Sequence, residues 1–230
     1  MAVCDTLQTK FGMNIVIKLG NISGKHPKIL QKCMQLGLPC ITNKCTPLQT
    51  RLFFDRFIQR LDAGYNTFDI DRHKLVGPDR NCAEWLMKCG ASIKFQGHDN
   101  HILEYNALPS SNFDKYKIEE IDMTDSTVML KGFPHLHNCK HVKKIVIHNC
   151  KYLCDSCIAY LPEIKSTLEH LQISSCRYIT SEGLIPITEL VNLKKLIIYD
   201  LPNLEEKHKK PLLDLLKDAL PKCDTELFKQ

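Results

Sequence analysis

The sequence predicts an α/β protein in which short repeated units stack side by side, with a small helical domain before the stack and a capping helix after it. Four similar segments predict the stack: IEEIDMTDS, VKKIVIHNC, LEHLQISSC and LKKLIIYDL, which begin at Ile118, Val142, Leu168 and Leu193. The steps of 24, 26 and 25 residues between them lie within the period of a leucine-rich repeat. One such unit cannot bury its own apolar face, so we expect a short leucine-rich repeat solenoid of about four repeats.

Residues 1–48 form the first predicted region, a leader without sustained periodicity and with three prolines. Up to residue 51 the chain carries seven Lys and Arg residues against one acid, whereas the remainder has 24 basic against 25 acidic residues. A basic, acid-poor start is compatible with a mitochondrial transit peptide, with a basic tail for anionic partners, or with disorder. The nearly neutral remainder argues against nucleic-acid binding, which requires a basic patch on the folded part.

Residues 49–117 are predicted to form the helical domain. A first helix from Leu52 to Leu61 places Phe54, Phe57, Ile58 and Leu61 on one apolar face. Phe53, Phe54 and Phe57 are expected to belong either to a small N-terminal core or to a surface that binds a partner.

A second helix is predicted from Pro78, which suits a first helical turn, to Gly90, which suits the residue after a helix. Its apolar face comprises Cys82, Trp85, Leu86 and Cys89. The segment ASIKFQ that follows is a predicted strand, and a polar loop then leads to the first repeat.

Residues 118–230 are predicted to form the repeat domain with its C-terminal cap. The return segments CDSCIAYLPEIKST and ITSEGLIPITELVN are expected to be short helical turns, and a helix beginning at Pro211 is expected to close the stack before a tail, DTELFKQ. Cys150 and Cys176 occupy equivalent repeat positions, where a cysteine serves as a small buried apolar residue.

The chain carries no motif of an enzyme that we recognise, neither GxxxxGK[ST] nor GxGxxG, GxSxG or HExxH, so we predict a non-catalytic protein. Cys154 and Cys157 have zinc-ligand spacing, with Cys150, Cys176 and His148 nearby; burial in the repeats is the alternative. His98, Asp99 and His101 could similarly be ligands or a solvated loop tip. No apolar run approaches the length of a membrane span.

The run VGPDRNCAEWLMKCGASIKFQG, followed by DKYKIEEIDMTDS and the cysteine-bearing repeats, resembles the mitochondrial ATP synthase coupling factor B (subunit s) family. The resemblance covers roughly residues 53–220, and a related family is the distal membrane-arm assembly protein of complex I. It implies a mitochondrial protein, peripheral on the matrix side of the inner membrane, that associates with the membrane sector of ATP synthase and supports coupled ATP synthesis by limiting proton leak.

The resemblance also implies a magnesium ion between the helical and repeat domains, with Gly90 of the CGA motif and Thr124 of the DxTD motif as ligands. Gly90 ends a helix, where carbonyl groups carry partial negative charge, and Thr124 lies where the first repeat strand turns. The alternatives are an ordinary helix end and an ordinary repeat position.

Two departures from the family pattern are visible. His148-Asn149-Cys150 stands where the family has a Cys-x-Cys dithiol, and Phe53 and Phe54 stand in a region where the family has tryptophans. Besides an ATP synthase factor, an assembly factor for the distal membrane arm of complex I remains an alternative. A more distant one is a substrate adaptor of a ubiquitin ligase, because cysteine-containing repeats of this type occur in F-box proteins.

Overall fold

The computed structural model describes the backbone of residues 6–8, 14–16 and 47–227, and the side chains of residues 55–227. It divides into two compact units, Met1–Ile58 and Gln59–Gln230. In the first unit, β1 (Thr6–Gln8) pairs antiparallel with β2 (Asn14–Val16). The remainder of the predicted leader up to residue 46 lies outside the described residues.

Three helices precede the sheet: α1 (Pro47–Tyr65), α2 (Ile70–Val76) and α3 (Pro78–Lys88). The predicted helix over Leu52–Leu61 is confirmed, but it is longer, and Ile58 and Leu61 of its apolar face remain 43% and 44% exposed. Helix α2 was not predicted; it begins where the Asp69 carboxylate accepts a hydrogen bond from the Arg72 amide at 2.8 Å.

The predicted second helix is confirmed as α3. Gly77 precedes it with φ +81°, Pro78 occupies its first turn, and Gly90 follows its C-cap residue Cys89 with φ +81°. A positive φ at these two points requires glycine for an unstrained turn. The predicted apolar face is fully buried.

A six-stranded sheet follows, in the order β3-β4-β5-β6-β7-β8. Its strands are β3 (Ser92–Phe95), β4 (Ile118–Asp122), β5 (Lys144–His148), β6 (His170–Ser174), β7 (Lys195–Tyr199) and β8 (Asp224–Leu227). The first pair is antiparallel and all later pairs are parallel. The four predicted repeat strands are β4 to β7, so the α/β class is confirmed, while the leucine-rich repeat solenoid and the boundary at residue 118 stay predictions.

Along β5, β6 and β7, alternate side chains point into the core. The parallel register aligns Ile145 with Leu171 and Leu196 across three strands, and all three are at most 2% exposed. Helical segments cover this inner face on the return paths: α4 (Asp155–Ile158) and the 3₁₀ segments Leu130–Leu136, Leu161–Ile164 and Glu182–Glu189. The helical turns predicted for the two return segments are therefore confirmed.

A left-handed residue follows each repeat strand at the same position. Asp125, Asn149, Ser175 and Asp200 have φ between +50° and +55°, a conformation that short polar side chains tolerate. Their side chains bridge neighbouring repeats: Asn149 Nδ2 donates to Asp125 Oδ1 and Ser175 Oγ donates to Asp200 Oδ2, both at 2.6 Å. The predicted burial of Cys150 and Cys176 just after these turns is confirmed.

Two predictions about the C-terminus are wrong. The capping helix α5 spans Glu206–Ala219, so Pro211 lies inside it; its charged first turn has no apolar residue from which periodicity could be read. The predicted tail contains β8, which pairs with β7 and extends the sheet. Across residues 47–227, no helix combines the length and the apolar character needed to cross a bilayer.

Candidate functional site

The two predicted magnesium ligands lie at the same end of the β3–β4 pair. The antiparallel register ends with Ser92 opposite Asp122. Gly90 lies two residues before Ser92 and Thr124 two residues after Asp122, so both lie just beyond this end of the paired strands. The two segments are also joined by a hydrogen bond from the Thr127 amide to the Cys89 carbonyl at 2.8 Å.

The groups at this end of the sheet are oxygens that suit a hard cation. Gly90 follows the C-terminus of α3, where the helix dipole concentrates negative charge on carbonyl oxygens. The Thr124 amide and hydroxyl both donate to Asp122 Oδ1, at 2.9 and 2.6 Å, which leaves the hydroxyl oxygen available as an acceptor.

Both residues are half-buried, so waters could complete the shell that magnesium prefers. The described residues contain no group of three His, Cys, Asp or Glu side chains placed to hold a metal. Metal binding at Gly90 and Thr124 stays a prediction, and the local chemistry fits it.

Next to this point, Asn66 connects the end of α1 to α3 and to the loop after β4. The side chain is fully buried. Its Nδ2 donates to the carbonyls of Asp62 at 2.8 Å and Thr127 at 3.0 Å, and its Oδ1 accepts from Trp85 Nε1 at 3.1 Å and from the Met129 amide at 2.7 Å. Asn66 therefore satisfies all four of its hydrogen-bonding positions within the protein. The sequence alone did not identify Asn66 as a functional or structural residue.

Trp85 is the central aromatic residue of this junction. His135 stacks on its ring with centroids 4.9 Å apart, and His135 Nδ1 contacts the Gly132 carbonyl at 2.7 Å. A Cβ atom at Gly132 would overlap the Trp85 ring. Burial lowers the pKa of His135 to about 4, so the imidazole is neutral at physiological pH and packs as an aromatic ring.

Polar residues of α3 that sequence reasoning missed are also buried. Glu84 accepts hydrogen bonds from Arg72 and Arg80, at distances between 2.6 and 2.9 Å. Burial alone would raise the pKa of Glu84, but these two guanidinium groups outweigh it and lower the pKa. Asp79 Oδ1 accepts the Ile118 amide at 3.0 Å, so the GPDR motif fastens the start of α3 to the start of β4.

The outer face of the sheet presents a groove of about 410 Å³ across β5, β6 and β7. Val146, Gln172 and Ile197 share one row of the parallel register and line this groove. Lys144, His170 and Lys195 form the neighbouring row. The groove thus sets a row of two apolar side chains and one amide beside a basic row of two lysines and one histidine, and we refer to these six residues as the outer groove.

Carboxylates lie at the two ends of the basic row. Lys144 pairs with Glu120 at 3.0 Å and Lys195 pairs with Glu226 at 2.9 Å. Burial acts to raise the pKa of Glu120, yet its contacts with Lys94 and Lys144 lower it to about 2. Glu120 lies on β4 and Glu226 on β8, the strands that flank the groove, so each lysine of the basic row has a carboxylate partner on its outer side.

The cysteines considered as zinc ligands differ in their surroundings. Cys150 Sγ donates to the Met123 carbonyl at 2.9 Å and Cys176 Sγ to the Ser174 carbonyl at 3.3 Å, and both are buried. Cys154 and Cys157 lie together, with sulfur atoms 3.8 Å apart. In the exposed loop, His101 Nδ1 contacts Ser92 Oγ at 3.3 Å.

Among models of protein families, none matches this chain. The human protein named ATP synthase subunit s, mitochondrial, is 41% identical over 170 residues, which cover 73% of this chain and 84% of the human protein. The protein of the same name from Bos taurus is 40% identical over 171 residues, again 73% and 84% of the two chains. Distal membrane arm assembly component 2 of Drosophila melanogaster is 27% identical over 164 residues, 67% of this chain and 56% of that protein.

Proposed function

Because this chain belongs to the family of mitochondrial ATP synthase subunit s, we propose that it is a non-catalytic accessory protein of the mitochondrial ATP synthase. The observation that carries the proposal is the identity of about 40% with subunit s proteins across most of both chains. The resemblance predicted from the GPDR, AEWL and CGA motifs agrees with this identity.

The protein acts at the inner membrane in this proposal. It binds the membrane sector of ATP synthase peripherally, from the matrix side, and limits proton leak through that sector, so that proton flow stays coupled to ATP synthesis. The basic, acid-poor leader would serve as the transit peptide that directs the protein into mitochondria.

The sheet supplies the binding surface in this proposal. We interpret β4 to β7 as the strands of a leucine-rich repeat solenoid, whose exposed strand face commonly binds partners. The period of 24 to 26 residues and the parallel, sequential strand order support this interpretation. The outer groove offers apolar contact from Val146 and Ile197 together with cationic contact from Lys144 and Lys195.

A magnesium ion forms part of the proposal. It would be held by the Gly90 carbonyl and the Thr124 hydroxyl, and its positive charge would join the end of α3 to the turn after β4. The shared position of these residues at the end of the β3–β4 register supports the assignment. Such a site would stabilise the junction between helices and sheet without taking part in a reaction.

Native gel electrophoresis of mitochondria that contain the tagged full-length protein tests the proposal. We expect the protein to migrate with ATP synthase, and we expect cells that lack it to show faster proton leak and less ATP made per oxygen consumed. Lys144→Glu combined with Lys195→Glu should weaken co-migration, whereas Lys207→Glu on α5 should not. A protein that migrates wholly apart from ATP synthase would contradict the proposal.

A second candidate is an assembly factor for the distal membrane arm of complex I. The relative from Drosophila melanogaster, named for that role, supports it at lower identity. In this case cells without the protein would lose assembled complex I while ATP synthesis driven through complex II stayed coupled. The same native gels therefore separate the two candidates.

A further inference from the structure

Cys154 and Cys157 lie in one turn whose backbone already brings their thiols together. Cys154 precedes α4 in an extended conformation, and the Cys157 amide donates to the Cys154 carbonyl at 2.8 Å. Their sulfur atoms are 3.8 Å apart. A disulfide needs about 2 Å between the sulfurs. Because the hydrogen bond from the Cys157 amide to the Cys154 carbonyl already closes the turn, rotation of the two short side chains can shorten the sulfur distance from 3.8 Å to that value.

The neighbouring repeat holds this turn in place. Asp155, inside the Cys-x-x-Cys segment, accepts the Thr180 amide at 2.8 Å and the Thr180 hydroxyl at 2.7 Å. Cys154 also forms a parallel bridge with Tyr178. These contacts fix the backbone at Cys154 and Asp155, so the approach of the two thiols does not depend on a chance fluctuation of the loop.

Access to solvent distinguishes this pair from the buried thiol pair Cys150 and Cys176. Cys150 and Cys176 interact through their thiols, but both are almost completely buried. Cys154 is half-buried, and its partner Cys157 is fully buried. A small reagent can therefore reach one member of the pair while the second lies directly behind it.

We propose that Cys154 and Cys157 form a site of reversible disulfide formation, oxidised by low-molecular-weight disulfides such as oxidised glutathione. The Cys154 thiolate attacks one glutathione sulfur, forming a mixed disulfide and releasing one glutathione, which takes up a proton. The Cys157 thiolate then attacks the Cys154 sulfur, forming the internal disulfide and releasing the second glutathione. Two electrons pass from the protein thiols to the glutathione disulfide, and thiol reductants reverse both steps.

The order of attack follows from the surroundings of the two sulfurs. Burial raises the pKa of Cys157 to about 12, so its thiolate is scarce and it is suited to the second, intramolecular step. Cys154, which is half-buried and open to a small reagent, makes the first attack. A Cys157→Ser variant should therefore accumulate the mixed disulfide at Cys154, and Cys154→Ser should not react at this turn.

Peptide mapping of the folded full-length protein tests the proposal directly. Cleavage after Lys151 and Lys165 places both cysteines in one tryptic peptide, whereas Cys150 and Cys176 fall in its two neighbours. After incubation with oxidised glutathione, the 152–165 peptide should be lighter by two hydrogen atoms and resist alkylation. Dithiothreitol should restore both thiols.

A matched variant tests whether disulfide formation is specific to Cys154 and Cys157. Cys223→Ser, which removes another half-buried cysteine, should leave the internal disulfide unchanged, and circular dichroism checks that each variant is folded. Two results would overturn the proposal: a mixed disulfide on Cys154 that persists in the wild-type protein, or a 152–165 peptide that stays fully alkylatable after oxidation.

Discussion

Replacement of Asn66 by alanine is the most informative single test of the junction between the helices and the sheet. The change removes the Nδ2 group that donates to the Asp62 and Thr127 carbonyls, and it leaves the Trp85 Nε1 and Met129 amide donors buried without an acceptor. Each buried unsatisfied group costs about 1–3 kcal/mol. We therefore expect the free energy of unfolding to fall by about 3–5 kcal/mol, which allows for partial relaxation around the two donors.

Urea denaturation of the full-length protein, followed by tryptophan fluorescence, measures this change, because Trp85 is the sole tryptophan and lies at the site. Asn192→Ala is the matched control: that asparagine is exposed and donates to the carbonyls of Lys165 and Ser166, so its loss should cost less than about 1 kcal/mol. A cost for Asn66→Ala as small as that of the control would refute the reasoning that Asn66 holds the junction.

Three further predictions concern the same region. Gly132→Ala should destabilise the protein by about 3 kcal/mol, because its Cβ would overlap the Trp85 ring. The control Gly64→Ala in α1 has open space at its Cβ and should stabilise the protein by up to about 1 kcal/mol. Thermal melts measure both changes. Burial lowers the pKa of His135 from 6.5 to about 4, so as pH falls the unfolded state binds a proton before the folded state does. The free energy of unfolding should therefore decrease between pH 6.5 and 4, by at most about 1.4 kcal/mol per pH unit. His135→Phe should flatten that slope in denaturation curves, and an unchanged slope would be evidence against it. Magnesium should raise the melting temperature of the wild-type protein, and EDTA should reverse the effect; Thr124→Val should lose this response, whereas Thr188→Val, at an exposed hydroxyl, should keep it.

Sequence patterns predicted the repeat strands well because the same alternation of apolar residues recurs in four segments at nearly constant spacing. They also predicted α3, whose Pro78 and Gly90 mark its two ends. The same reasoning failed for α2, which is only seven residues long and too short to show periodicity, and for the first turn of α5, which contains no apolar residue. It missed β8 because a four-residue strand at a sheet edge gains its stability from β7 rather than from its own sequence.

The junction could be predicted only in part. Gly90 and Thr124 followed from a family motif, and the register of β3 and β4 places them at one end of the sheet. Asn66, Glu84 and His135 could not be found in this way, since each is a polar side chain whose burial depends on partners that only the folded structure brings together. A buried asparagine gives no sequence signal until its acceptors and donors are known.

Co-migration of the tagged full-length protein with ATP synthase on native gels of mitochondria tests the central claim most directly. The account predicts a band shared with the ATP synthase that the Lys144→Glu, Lys195→Glu double variant weakens while the Lys207→Glu control retains it. A protein found only in complex I assembly intermediates, or only as a free monomer, would contradict the account.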